Sequence, residues 1–442
     1  MDANTAVLIV LGVLLVLLAL EVPVAFSLIG SGTLGLVLLR GPQVAGATLA
    51  SIPFQAAASY TLSVVPMFIL MGMLAMHGRV AEDLFRLAHR LFRGVRGGAA
   101  VATVATCAGF AAVCGSSVAT AATVGRLTID EMRRYGHQPE FAAAVVASAG
   151  TLGILIPPSI VLVLFGIITN ESIGRLLIAG VVPGLLSAVV LSLGILVLDR
   201  LGYGRASPEG AVEDPPRPAG DGQRSSGGVW RLGLLFVVVI GGIYSGIVTA
   251  TEAAAIGALA ALLMVIYRVV RERTALWPVL ADALRGTASV TSMVFGVVVG
   301  ASILSYFLVM AGVPTAFTRW VLGLDLPPHL LVLLLLLALV PLGMFLDGVS
   351  ILLITVPLTY PVVKQLGFDG VWYAILVVKM IELGLITPPV GVNAFVVANC
   401  VKDTSLARVF RAISAFIVLD LIIFLILFAY PPLVTWLPSH VS

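Results

Sequence analysis

One motif occurs twice in this chain, each time inside an apolar stretch long enough to cross a bilayer. Residues 150–161 read Gly-Thr-Leu-Gly-Ile-Leu-Ile-Pro-Pro-Ser-Ile-Val, and residues 381–392 read Ile-Glu-Leu-Gly-Leu-Ile-Thr-Pro-Pro-Val-Gly-Val. Gly153, Pro157 and Pro158 match Gly384, Pro388 and Pro389 at one offset (384 − 153 = 231), which also pairs Gly136 with Gly367 and Phe141 with Trp372. After a two-residue slip, Ser172-Ile-Gly-Arg175 echoes Ser405-Leu-Ala-Arg408. A Pro-Pro pair removes two backbone donors, and its rings clash with the preceding turn. In hydrocarbon such a break survives only where protein or a water-filled cavity satisfies the freed carbonyls. Matched breaks in two halves of one chain are the best sequence pointer to the binding site of a secondary transporter.

The rest of the composition agrees. Of 442 residues, 60% are hydrophobic and 11% charged, and the mean hydropathy is +1.13. A soluble domain would carry about a quarter charged residues, so the chain reads as an all-α polytopic membrane protein. Cys107, Cys114 and Cys400 lie in or beside apolar stretches without metal-ligand spacing and read as small packing residues. The first apolar span lacks a basic leader, so no cleavable signal peptide is expected. There is no nucleic-acid-binding face, and no phosphate-binding loop of an ATPase.

Apolar runs of roughly 20 residues predict spans at 5–20, 22–39, 60–76, 139–168, 175–198, 232–248, 251–267, 287–311, 371–400 and 412–430. Two further stretches, 98–125 and 328–357, cannot both cross if the basic segments stay on one side. Those segments are 77–97, the Pro/Gly/Ser-rich loop 199–231 and Arg268–Arg273, and Lys402, Arg408 and Arg411 then fall on the same side. Treating both stretches as re-entrant hairpins closes the scheme. About ten helices cross, both termini lie outside, the hairpins enter from opposite faces, and the halves are inverted repeats. The expected organisation is scaffold helices in 1–59, a first repeat in 60–198 (hairpin 98–125, broken helix 139–168), and the polar cytoplasmic loop 199–231. Connecting scaffold helices follow in 232–286, then a second repeat in 287–430 (hairpin 328–357, broken helix 371–400) and a tail, 431–442.

The chemistry is expected at the hairpin tips and breaks. Gly115-Ser116-Ser117-Val-Ala-Thr120 offers hydroxyls and carbonyls at the first tip. Small residues there could simply permit close packing, and Ala119, Ala121 and Ala122 are read that way. Asp347, at the second tip, costs ~2.5–3.5 kcal/mol at that depth and needs a partner. It reads as a cation ligand, with a structural acceptor for nearby amides as the alternative. Thr151, Gly153, Pro157 and Ser159 mark the first break; Glu382, Gly384, Thr387, Pro388, Gly391 and Asn393 mark the second. Freed carbonyls with Thr and Asn oxygens make hard sites suited to Na⁺, and half-helix N-termini favour an anionic substrate group. Glu382 reads either as a ligand or as holding the broken segment in shape, the second being preferred. Thr251-Glu252 fits a helix N-terminus with Thr as the cap, and Arg126, Arg133 and Arg134 read as topology determinants.

Several of these stretches carry a family resemblance. Pro66-Met-Phe-Ile-Leu-Met-Gly72, Cys114-Gly-Ser-Ser-Val-Ala-Thr-Ala121 and Gly150-Thr-Leu-Gly-Ile-Leu-Ile-Pro-Pro-Ser159 do so in the first half. Thr251-Glu-Ala-Ala-Ala255, Met344-Phe-Leu-Asp347 and Glu382-Leu-Gly-Leu-Ile-Thr-Pro-Pro-Val-Gly-Val-Asn393 do so in the second. Over nearly its whole length the chain resembles the large membrane subunit of tripartite ATP-independent periplasmic (TRAP) transporters, with a 199–231 loop that is longer and more polar than usual. The resemblance implies an elevator-type ion transporter fold in a bacterial inner membrane, importing small organic acids with Na⁺ as coupling ion and no other cofactor. It also implies two partners: a small four-helix membrane subunit, expected as a separate chain, and a periplasmic solute receptor. One Na⁺ is then expected among Ser116, Ser117, Thr151, Gly153 and Pro157. Another is expected among Asp347, Gly348, Thr387, Pro388 and Gly391, with substrate near Ser116, Thr120, Ser159, Ser350 and Asn393.

Two rivals remain at this level. A stand-alone inverted-repeat carrier of dicarboxylate, citrate or an oxyanion would work without a receptor. An intramembrane enzyme would need a second aspartate beside Asp347, a His-Glu-x-x-His pair or a Ser-His pair, none of which is present in the spans.

Overall fold

The computed structural model describes residues 2–205, 229–401 and 404–440, so Lys402 and most of the 199–231 loop lie outside the described residues. Apart from one isolated bridge between His137 and Arg205, the regular structure described is helical. Among the described residues, seven helical stretches are long and apolar enough to cross a membrane: Tyr60–His77, Pro139–Thr169, Ile173–Arg200, Ala250–Glu272, Leu276–Met310, Gly348–Gln365 and Leu406–Ala429. Shorter apolar helices fill out the remainder.

The chain opens with α1 (Ala3–Ala19), α2 (Val24–Arg40) and α3 (Pro42–Ala57). Helix α3 lies between the expected spans 22–39 and 60–76. Pro42 at its first turn, where a missing N–H is harmless, starts it, and little more than Ala45 and Thr48 is buried. The first repeat contains α4 (Val64–His77), α5 (Val80–Phe92), α6 (Gly98–Cys114), α7 (Ser117–Arg134), α8 (Pro139–Gly150), α9 (Leu152–Leu155), α10 (Ile160–Thr169), α11 (Ile173–Ala179) and α12 (Val181–Arg200). Next come α13 (Val229–Phe236), α14 (Gly242–Tyr244) and α15 (Ala250–Glu272). The second repeat contains α16 (Leu276–Met310), α17 (Val313–Leu322), α18 (Pro328–Leu337), α19 (Leu339–Gly343), α20 (Gly348–Gln365), α21 (Gly370–Ile386), α22 (Val392–Ala398) and α23 (Leu406–Ala429), and α24 (Pro432–Thr435) closes the chain.

The offset of 231 holds far beyond the Pro-Pro motif. Helices α7 and α20 are 18 residues each and coincide at both ends (348 − 117 = 365 − 134 = 231). Gly136 and Gly367, which follow them, share a φ of 81°, a left-handed turn that glycine adopts without strain. Helices α8 and α21 start in register (370 − 139 = 231), and both Pro-Pro bonds are cis. The repeats differ where packing demands it. One long helix, α23, replaces the pair α11 and α12, and α16 extends to 35 residues.

Several boundaries need correction. The hairpins run to Arg134 and Gln365, not to 125 and 357, because each second arm stays helical through its polar end. The crossing placed at 287–311 starts at Leu276. The cap of α15 is Thr249, not Thr251: its side chain accepts from the Glu252 amide at 3.3 Å, while the Glu252 carboxylate accepts from the Thr249 amide at 2.8 Å. This reciprocal capping box satisfies two helix-end donors.

The two repeats interlock. Helix α20, the second arm of one hairpin, packs on α10, beyond the other repeat's break; reciprocally, α7 packs on α22. These pairs exchange under the offset, as a two-fold relation requires. Their ends are pinned by charge. Glu171, just past α10, accepts from Tyr360 and lies 3.6 Å from Lys364, near the root of the second hairpin. Glu140, in the first turn of α8, lies 3.2 Å from Arg408. Because α8 follows directly on the root of the first hairpin, the two roots sit at opposite ends of the first broken helix. Helices α1 to α4, α15 and α16 pack mainly on one another and meet the hairpins through α4 on α6 and α16 on α20.

Candidate functional site: two hairpin tips on two helix breaks

At the first tip Gly115, at φ 66°, ends α6, and Ser116 turns the chain into α7 as its N-cap, accepting from the Ala119 amide at 3.4 Å. The tip rests on the first break with no space to spare. A Cβ placed on Gly153 would lie 2.5 Å from the Ser116 carbonyl oxygen and 2.8 Å from Thr120 Oγ1. One on Gly115 would lie 2.8 Å from the Pro158 carbonyl oxygen. Ser116, Thr120, Gly153 and Pro158 are therefore brought together, with buried Ser117 next in the chain. Thr120 Oγ1 is buried without a nitrogen or oxygen partner.

The break manages its freed carbonyls locally. Pro157 and Pro158 cannot donate to the carbonyls four residues back, at Gly153 and Ile154. Ser159 Oγ donates to the Ile154 carbonyl and accepts from the Leu162 amide at 3.2 Å, so it caps α10 and repairs the break together. Thr151 Oγ1 donates to the Ser148 carbonyl at 2.7 Å. Every residue from Thr151 to Ile160 is buried.

The second tip is built on the same plan with different residues. Asp347 stands at the position of Ser116 (347 − 116 = 231) and is likewise an N-cap. Its Oδ1 accepts from the amides of Val349 and Ser350 at 3.0 and 3.1 Å, and its Oδ2 accepts from Ser350 Oγ. Both carboxylate oxygens thus accept hydrogen bonds from the start of α20. Gly343, in the first arm, meets Gly384 of the second broken helix backbone to backbone: a Cβ on Gly384 would lie 2.5 Å from the Gly343 Cα. The Gly391 amide donates to the Met344 carbonyl at 3.3 Å, tying the break to the tip. Gly348 faces Ile381 and also Ile154 and Val161 of the first break.

At the second break Thr387 Oγ1 donates to the Leu383 carbonyl. Pro388, Pro389 and Val390 are exposed, whereas Pro157 and Pro158 are buried, so the two breaks differ in access. Asn393 is fully buried in α22 with neither Oδ1 nor Nδ2 hydrogen-bonded. Asp347 is not hydrogen-bonded to Thr387, Pro388 or Gly391; the break is joined to this hairpin by the Gly391–Met344 bond and the Gly343–Gly384 contact.

One constellation escaped the sequence reading. Lys379 Nζ lies 2.7 Å from Glu382 Oε2 and 2.9 Å from Asp420 Oδ1, joining α21 to α23 in a buried triad. Glu382 is thereby tied through Lys379 to the last crossing helix. The signal was a Lys and Glu three apart inside an apolar span, the i, i+3 spacing that puts both on one helix face, together with a lone aspartate in the last crossing. Intramembrane charges of that kind need partners.

Comparison with known proteins agrees with this architecture. The family described as Tripartite ATP-independent periplasmic transporter, DctM component, matches residues 11–434. The C4-dicarboxylate TRAP transporter large permease protein DctM of Pseudomonas aeruginosa is 37% identical over 407 residues, 92% of each chain. Its Vibrio cholerae namesake is 36% identical over 437 residues, 95% of this chain and 94% of the relative. An Oleidesulfovibrio alaskensis relative named Isethionate TRAP transporter permease protein DctMQ is 32% identical over 417 residues, and the match spans 62% of its length. Among solved structures, the Alcanivorax borkumensis YdaH transporter aligns with a TM-score of 0.64 over 87% of this chain and 88% of that one, at 14% identity, a likeness of fold alone. The chain is a transporter subunit and not an enzyme, and it belongs to the DctM family of TRAP transporter large permeases, multi-pass proteins of the inner membrane that work with a small membrane subunit and a periplasmic receptor.

Proposed function

We propose that this chain imports a small organic acid in symport with Na⁺, taking its substrate from the periplasmic receptor. The hairpin-bearing helices move as one body against α1 to α4, α15 and α16. The single observation behind this reading is the doubled tip-on-break unit, each copy presenting carbonyl and hydroxyl oxygens where a helix is interrupted. Oxygen donors of that kind suit a hard cation. One ion is assigned to Ser116, Ser117, Thr151, Gly153 and Pro157, and a second to Asp347, Gly348, Thr387, Pro388 and Gly391. The substrate lies between, near Ser116, Thr120, Ser159, Ser350 and Asn393; the unpartnered polar atoms of Thr120 and Asn393 support this placement. Relatives at 32–37% identity over most of the chain bear C4-dicarboxylate names, which makes a C4-dicarboxylate the first substrate to test. Proteoliposomes holding this chain and the small subunit, with loaded receptor outside, should accumulate labelled dicarboxylate only under an inward Na⁺ gradient. Equal uptake with K⁺ in place of Na⁺, or without receptor, would refute the proposal.

A further inference from the structure

The Lys379–Glu382–Asp420 triad is not accounted for by the tips and breaks. One ammonium and two carboxylates sum to −1 if all are ionised, at positions 1%, 0% and 2% exposed. A buried charge without compensation is strongly disfavoured, and in practice such a group neutralises. Lys379 serves one oxygen of each carboxylate, leaving Glu382 Oε1 and Asp420 Oδ2 buried with no partner.

Among the described residues, no other charge reaches the triad to close the balance. Among the helices packed on α21 and α23, the chargeable groups are Arg175, Tyr360, Lys364, His329, Glu140, Asp199 and Arg200, with Arg408 and Arg411 on α23 itself. Glu140 with Arg408, Asp199 with Arg205, and Lys364 and Tyr360 with Glu171 form pairs of their own. Arg175, Arg200, Arg411 and His329 are exposed. Tyr373, on the same helix, is a neutral phenol in a buried position. A metal cation would need several more oxygens, and none is freed here. Unlike the breaks, α21 and α23 are uninterrupted at 379–382 and 420, so their carbonyls are engaged within the helices.

We propose that the triad is a proton-binding site, holding one H⁺ on the Glu382–Asp420 carboxyl pair so that the cluster is neutral overall. Glu382 Oε1 and Asp420 Oδ2, the oxygens that Lys379 does not serve, are the positions open to that proton. Glu382 lies two residues before Gly384, which packs on Gly343 of the second hairpin, so the proton is held at the base of the second break. This assignment is independent of the Na⁺ reading.

The test is infrared spectroscopy of the complete permease in lipid at neutral pH, reading the carbonyl stretch of a protonated carboxylic acid in variant-minus-wild-type difference spectra. Wild type should show one such band. Glu382→Gln and Asp420→Asn should each abolish it, because one carboxylate and Lys379 then balance. Lys379→Met should strengthen it, as both acids become protonated. If neither Glu382→Gln nor Asp420→Asn accumulates as folded protein, raising the pH of the wild type should remove the band. A wild-type spectrum with no band that these changes remove would overturn the proposal and leave an ionised triad of charge −1.

Discussion

At the scale of single residues, two contacts decide whether the tips are built as described. Gly153 is the floor under Ser116. The atom a Cβ would strike is a backbone carbonyl, which cannot swing aside as a side-chain end can. Gly153→Ala should cost about 1–3 kcal/mol, typical of overpacking, and abolish uptake; the melting temperature and transport rate of the reconstituted complex check this. Asp347 poses a sharper question, because as an N-cap it shares the work of Ser116 in the other repeat. Removal of a cap costs about 0.5–2 kcal/mol. Asp347→Ala should therefore destabilise, while Asp347→Asn, which keeps an accepting oxygen, should not. If the carboxylate also binds Na⁺, Asp347→Asn will raise the Na⁺ concentration needed for half-maximal uptake. An unchanged Na⁺ dependence would leave Asp347 with its cap alone.

At the scale of elements, the root of the first hairpin is clasped to the end of α12. Asp199, wholly buried, takes Arg205 at 3.0 and 3.2 Å and lies 3.7 Å from Arg96; the bridge between His137 and Arg205 closes the clasp. Burial holds the His137 imidazole below its ordinary value, against the pull of Asp199 and with the push of Arg205. A depressed histidine contributes stability above the ordinary value of about 6.5 and loses it as pH falls, because the unfolded chain takes up the proton more readily. Thermal melts should thus fall between pH 7 and 5, by at most about 1.4 kcal/mol per pH unit from this group. His137→Phe, which can preserve the stacking on Phe141, should flatten that slope, and an unchanged slope would remove the clasp from the account. Elements of this kind were unevenly legible. Pro-Pro pairs and the glycines at 136 and 367 announce themselves because each imposes a backbone geometry. The ends of α7 and α20 were missed because their last turns are polar, a periodicity that hydropathy reads as a loop. Of the buried triad, Lys379 and Glu382 are neighbours on one helix face, but Asp420 lies 41 residues beyond Lys379 (420 − 379), and only folding brings it to them.

At the scale of the whole molecule, two copies of one plan are interlocked, each hairpin resting on its own break and on the far side of the other. The fold class, the repeat and the tip-on-break pairing were readable because a bilayer leaves the chain few solutions. The difference in exposure between Pro157 and Pro388 was not, since it depends on how the assembled helices stand relative to one another. The central claim is that the two halves are inverted, so that their hairpins enter the membrane from opposite faces without crossing. It is tested most directly by single cysteines at Gly97, Arg134, Pro327 and Lys364, introduced into a chain whose Cys107, Cys114 and Cys400 have been replaced, and probed with a membrane-impermeant thiol reagent in oriented vesicles. Positions 97 and 134 should label only from the cytoplasmic side, and 327 and 364 only from the periplasmic side. Labelling of the two ends of either hairpin from opposite sides would make that hairpin a full crossing and contradict the inverted-repeat account.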